Sequence, residues 1–143
     1  MLANQDRVRT VQTTLRLLFG VVPVVAGADK FFNLLTNWAQ YINPTLEGLL
    51  PVSTSTFMHA VGIIEIAAGL LVLSRFTTIG AYVVSAWLAL IGVSLIASGK
   101  FLDVAVRDLA MSASAYSLAC LSQVHQERRA PNYAESTARS ITA

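Results

Sequence analysis

Glu65 stands in Phe57-Met-His-Ala-Val-Gly-Ile-Ile-Glu-Ile-Ala-Ala-Gly-Leu-Leu-Val-Leu73, an apolar stretch long enough to cross a bilayer, with one carboxylate near its middle. An ionised side chain at that depth costs about 2.5 to 3.5 kcal/mol on insertion scales, so it turns inward toward a partner, a cavity or a proton path. Gly62, Glu65 and Gly69 are spaced i, i+3, i+7, which sets the acid between two glycines on a face that another helix can approach closely. In an antiparallel bundle Lys30 or Arg107 can reach toward Glu65 from the outer half, with His59 and Asp108 completing a polar pocket. Such a cluster either fixes helix register as an ion-pair network or holds a cofactor, a substrate or a proton, and the residue types alone leave both open. Asp103 and Arg107 also form an i, i+4 pair that can be satisfied locally, and Asp29 and Arg16 are further candidates for structural ion pairs.

Other chemistries find no support in the residues. Dithiol work needs paired cysteines, whereas Cys120 is alone and reads as a small packing residue. A bis-histidine haem needs two imidazoles at similar depth, but His59 is near the outer side and His125 near the inner end of the last helix. A metal held by His59, Glu65 and Asp108 would need further ligands from another helix, and no local ligand spacing supports one. There is no phosphate loop, nucleophile elbow or dinucleotide fingerprint, and Met58 and Met111 read as apolar filler. No catalytic residue and no intrinsic cofactor are assigned.

The elements that position these residues follow from composition. With 55% hydrophobic and 13% charged residues, the chain has too little polar surface for a water-soluble domain of 143 residues. Its mean hydropathy of +0.60 agrees. Four apolar stretches, about 14–35, 57–73, 77–98 and 104–124, predict an all-α, four-helix transmembrane bundle over 14–124. Strand-like alternation is absent, which disfavours a barrel. Residues 1–13 form a short N-terminal segment, and 125–143 form a polar tail with Pro131 that reads as flexible or partner-dependent. Arg7 and Arg9 followed by an apolar run ending in Ala26-Gly-Ala28 resemble a secretory signal, but the apolar pattern resumes at Phe31-Phe32 and the segment is expected to be retained.

Orientation is read from the basic residues. Arg7, Arg9, Arg16, Arg75, Arg128, Arg129 and Arg139 share one side, against Lys30, Lys100 and Arg107 on the other, so both termini are expected to be cytoplasmic. The net charge of +2 arises mainly from this asymmetry, and no nucleic-acid partner is expected. The loop 36–55, with Trp38, Tyr41, Pro44 and Pro51, reads as an interfacial element covering the outer face. Small residues mark the contact faces: Gly20 and Gly27 on the first helix, Gly62 and Gly69 on the second, Gly92 and Gly99 with Ser85 on the third, and Ser112, Ala115, Ala119 and Ser122 on the fourth. Gly20-x6-Gly27 and Gly92-x6-Gly99, each followed by a lysine, form a weak echo that fits either a duplicated two-helix unit or the chance likeness of glycine-rich membrane helices, and the second reading is preferred.

Arg16-Leu-Leu-Phe-Gly20, Ala26-Gly-Ala-Asp-Lys30-Phe-Phe, Gly62-Ile-Ile-Glu65-Ile-Ala-Ala-Gly69 and, more loosely, Arg107-Asp108-Leu together resemble the DoxX-like family of small four-helix membrane proteins, over roughly Thr14 to Val124. That resemblance implies association with quinone-linked redox complexes and membrane oxidoreductase assemblies. It carries Lys30 and Glu65 over first, then Arg16 and Arg107. It also implies a bacterial cytoplasmic (inner) membrane location and partner subunits within lipid, with a quinone or a lipid at a subunit interface.

Three function classes are therefore carried forward. The preferred one is an accessory subunit of a quinone-linked redox or other bioenergetic complex that stabilises larger subunits and borders a quinone site. The second is a proton- or solute-coupled transporter in which Glu65 loads a proton or cation. The third is a ligand-free assembly or scaffold protein.

Overall fold

The computed structural model describes residues 2–42, 47–48 and 51–141, with side chains over 6–42, 47–48 and 51–124. Pro44 and the side chain of His125 lie outside the described residues. The chain forms helix α1 (Leu2–Asp29), a 3-10 turn (Trp38–Tyr41), α2 (Thr54–Leu73), α3 (Thr77–Ser98) and α4 (Leu102–Ile141). Among the described residues there is no strand.

Three of the helices, over Asp6–Asp29, Thr54–Leu73 and Thr77–Ser98, are long and apolar enough to cross a membrane. Their outward residues suit lipid: Leu17, Val25, Ile63, Leu70, Leu90 and Val93 are each at least half exposed in the isolated chain. The fourth expected span, 104–124, is helical but is not among those three, because α4 carries Arg107 and Asp108 and is rich in serine and alanine. It completes the four-helix bundle by lying against α3. Two reciprocal bonds join them: Ser85 Oγ donates to the Ser112 carbonyl at 2.9 Å, and Ser112 Oγ donates to the Ser85 carbonyl at 2.8 Å. Along α4 the buried stripe Ala105, Asp108, Ser112, Ala115, Ala119 and Ser122 steps by three and four, which keeps one face toward the bundle.

Helix ends differ from the hydropathy reading where polar groups decide them. The first helix begins at Leu2 rather than near Thr14, since a polar first turn carries no penalty outside lipid. It stops at Asp29 rather than Leu35 because the Asp29 carboxylate accepts the Leu34 and Leu35 N–H groups, and Asn33 adopts φ 51°. At its start α2 is capped by Ser53, whose hydroxyl accepts the Thr56 N–H at 3.2 Å. Gly99 ends α3 with φ 67° and no atom within 4 Å of an added Cβ, so it is a left-handed cap and not the packing residue that its spacing suggests. The polar tail expected after Val124 continues as helix through Ile141.

Short turns make α2, α3 and α4 successively antiparallel, and the contacts of Gly27 with Gly62 and of Gly20 with Gly69 show α1 antiparallel to α2 despite the long connection between them; α1 pairs most extensively with α2 and α3 with α4, with a thinner contact between α2 and α3. Around the α2–α3 turn the core is dense: Phe19, Val72, Ala81, Val84, Ala115 and Leu118 meet there. Gly80 lets α3 begin against the α2 backbone, since a Cβ at Gly80 would lie 2.5 Å from the Val72 nitrogen. Gly92 serves α3 against α4, facing Leu109.

Candidate functional site

Two glycines bring α1 and α2 together. A Cβ on Gly27 would lie 2.5 Å from the Gly62 carbonyl oxygen, and one on Gly62 would lie 2.6 Å from the Gly27 oxygen. Only bare backbone fits there, and this contact fixes the register of the next turn on each helix. Gly69 repeats the device against the Gly20 carbonyl, again at 2.5 Å, while Gly20 itself faces the Leu73 side chain.

That register sets Lys30 beside Glu65. The Lys30 Nζ donates to Glu65 Oε2 at 2.6 Å, and the side chains are only 4% and 11% exposed. A second contact comes from the loop: the ammonium lies 3.6 Å from the centroid of the Trp38 ring. Trp38 is held in turn by Asp29, whose Oδ2 accepts the indole N–H at 2.7 Å. Trp38 is therefore tucked against the bundle, where its amphipathic character alone suggests a headgroup-level anchor. Its neighbour Tyr41 packs on Phe101 with ring centroids 4.7 Å apart, joining the loop to the start of α4.

Beneath this loop the helices border a half-open cavity of about 600 Å³. Lys30, Trp38, Glu65, Arg107 and Asp108 line it, together with apolar side chains such as Val22, Val61, Leu88, Ile91 and Met111. Pro23, inside α1, also lines it and supplies no N–H to its helix. At the cavity wall the buried Trp87 indole N–H has no hydrogen-bond partner among the described residues. Two cations, Lys30 and Arg107, face two carboxylates, Glu65 and Asp108, so the formal charges of these four lining groups cancel.

The expected cluster is thus assembled only in part. His59 does not line the cavity but stacks on Phe31, with ring centroids 4.8 Å apart and planes 8° apart. Its helical position is about one and two-thirds turns from Glu65, which turns the imidazole toward another face. Asp108 is buried, and its Oδ1 accepts from Arg107 Nε at 3.3 Å. The i, i+4 pair of Asp103 with Arg107 is not formed: both are exposed, and Arg107 contacts its chain neighbour instead. A solvated pair of that kind gains too little to fix two long side chains.

Nor, among the described residues, do Asp29 and Arg16 form structural ion pairs. Asp29 is satisfied by two backbone N–H groups and the Trp38 indole. Arg16 donates to the carbonyls of Val72, Leu73 and Ser74, capping α2 where its dipole is negative. The two echoed segments also part company, since Gly27 is a helix contact and Gly99 a cap, and Lys30 is buried while Lys100 is exposed.

Sequence reasoning missed Trp38 and Trp87 as cavity residues. Trp87 recurs on the α3 face with Val84, Leu88 and Ile91, which is a detectable helical stripe, but it cannot be told from lipid-facing residues by hydropathy. Trp38 had no periodic signal, because its place depends on a bond to Asp29 across an irregular loop. Among the described residues no group of three or more His, Cys, Asp or Glu side chains is placed to hold a metal ion.

No curated protein and no solved structure matches the chain. A family model described as DoxX matches residues 11–102, which takes in α1 from Val11 onward, the Trp38 loop, α2 and α3, with Lys30 and Glu65 inside the match and Arg107 and Asp108 beyond it. Because the match covers more than half of the chain, this integral membrane protein belongs to the DoxX family.

Proposed function

We propose that the protein is a small membrane subunit of a quinone-linked redox complex in a bacterial cytoplasmic membrane, packing against larger subunits and bordering a quinone site. The observation that supports this reading is the cavity of about 600 Å³ within the bundle, apolar along most of its wall and carrying the buried Lys30–Glu65 pair at one end. Family membership adds to it. The protein supplies no electron carrier of its own in this reading, so electrons pass in a partner subunit while this chain holds and orients the quinone.

A transporter reading is weaker on the same observation. Glu65 is already neutralised by Lys30 inside the bundle, and loading a second cation there would separate a buried pair. Purification in mild detergent tests the proposal. Stable co-purification with redox subunits is expected, and a clean monomer from native membranes would contradict it.

A further inference from the structure

We infer that the outward face of α4 is the interface through which two copies of this chain pair in the membrane, side by side and in parallel. The inference goes beyond the preceding proposal and does not rest on it.

Charge carries the argument. Asp103 and Arg107 stand one turn apart on α4, and both are exposed. Asp103 makes no hydrogen bond or ion pair with any described residue. Arg107 donates from Nε to Asp108 Oδ1 at 3.3 Å, and the two terminal nitrogens of its guanidinium donate to no described residue, with the side chain 66% exposed. It lies about 7.5 Å along the axis from Leu102, where the helix begins. This face therefore presents one free acid and one largely free base, with no net charge between them. Two copies inserted with the same topology, and related by a two-fold axis along the membrane normal, set their α4 helices parallel. Asp103 of each copy then faces the second copy's Arg107 across the contact, and symmetry makes the pair twice. Shielded from water by the facing helix, such a pair gains more than the solvated pair within one helix.

The rest of the face has the form that such a contact needs. Below the charges it continues through Ala110, Ser114 and Ser117, so the seam that begins at Asp103 steps by four, three, four and three. A period of 3.5 residues suits two helices crossing at about 20°. All five residues are exposed, on the side of α4 opposite its buried stripe. Ser114 and Ser117 donate to the Ala110 and Ala113 carbonyls, each at 3.0 Å, so their hydroxyls are already satisfied and their small size lets another backbone come close. The other three helices turn large aliphatic side chains outward instead, among them Leu17, Ile63 and Val93. They are also the three that are apolar enough to face lipid along a whole span, and α4 is not among them. A foreign subunit would have to carry its own acid and base in matching register, whereas a second copy supplies both by construction.

The test uses the full chain in native membranes. Cys120, the single cysteine, is first replaced by Ser. On mild oxidation, Ala110→Cys and Ser114→Cys should each give disulfide-linked dimers, and Val93→Cys on the lipid face of α3 should not. Asp103→Arg or Arg107→Asp, each added to Ala110→Cys, should lower the dimer yield by about tenfold or more, because like charges then meet at every contact. Co-expressed with different tags, these two reversal variants should recover a mixed disulfide-linked dimer, since each supplies the charge that the other lacks. Equal linkage through Val93→Cys, a yield unchanged by either reversal, or no mixed dimer from reversal variants that melt like their parent overturns the inference. So does linkage of Ala110→Cys to a different polypeptide only, which would assign the face to a foreign subunit. The cysteine series alters no charged residue, so it decides the matter if a reversal variant fails to fold.

Discussion

Around the α2–α3 turn, Val72, Ala81, Ala115 and Leu118 are fully buried and none lines the cavity, whereas toward the Trp38 loop the four helices part around about 600 Å³. Each region also holds one cation, Arg16 half-buried and Lys30 buried, and the two are used differently. Arg16 donates to three helix carbonyls and closes an end that needs closing. Lys30 meets one carboxylate oxygen and one ring face, and keeps donor capacity within the cavity. The difference shows how a small membrane protein can hold an open space: a packed half clamps the helices, and the glycine contact at Gly27 and Gly62 holds α1 and α2 together where the cavity begins.

The comparison can be broken from either side, and the largest effect is expected at the clamp shared by both halves. Gly62→Leu drives atoms into the Gly27 backbone, which cannot yield as a flexible side chain would, so a loss of about 3 kcal/mol or more is expected in thermal unfolding in detergent. Little change in melting would mean that α1 and α2 do not touch there. Arg16→Ala should cost about 2 kcal/mol, because three carbonyls at the α2 terminus lose a charged donor. Hydrogen exchange should then rise around Val72 to Ser74 and not around Lys30.

At the hollow end, Trp38→Leu removes the ring over the ammonium and should cost about 1 kcal/mol. Its sharper signature is local: labelling of a cysteine placed at Thr36 should speed up, with the packed half unaffected. His59→Ala should change stability by less than about 1 kcal/mol, since it loses one stacking contact outside the cavity. A collapse of stability in that variant would return His59 to the polar cluster.

How much of this was legible in the sequence depends on which force placed each residue. The Lys30–Glu65 meeting could be anticipated, because a lone deep acid requires a partner and the glycines at positions 27, 62 and 69 define one contact face. The span of Thr77–Ser98 was readable from hydropathy, since it is bounded by the polar Ser74-Arg75 turn and by Gly99-Lys100, with the Gly99 cap fixing its last residue. The end of α1 was not, because Phe31, Phe32, Leu34 and Leu35 are apolar yet lie beyond a stop made by the Asp29 carboxylate. His59 misled because depth along a helix says nothing about azimuth. Arg16 misled because a half-buried guanidinium finds carbonyls as readily as carboxylates, and only the packing of α1 on the end of α2 decides between them.

The most direct measurement is a double-mutant cycle on Lys30→Met and Glu65→Leu, read as unfolding free energy in the same detergent. The account predicts that each single variant is destabilised by about 3 to 5 kcal/mol, because it leaves one buried charge alone, and that the double variant recovers most of the loss, giving a coupling of at least about 2 kcal/mol. Additive losses, with no recovery in the double variant, would contradict it and place the two charges apart.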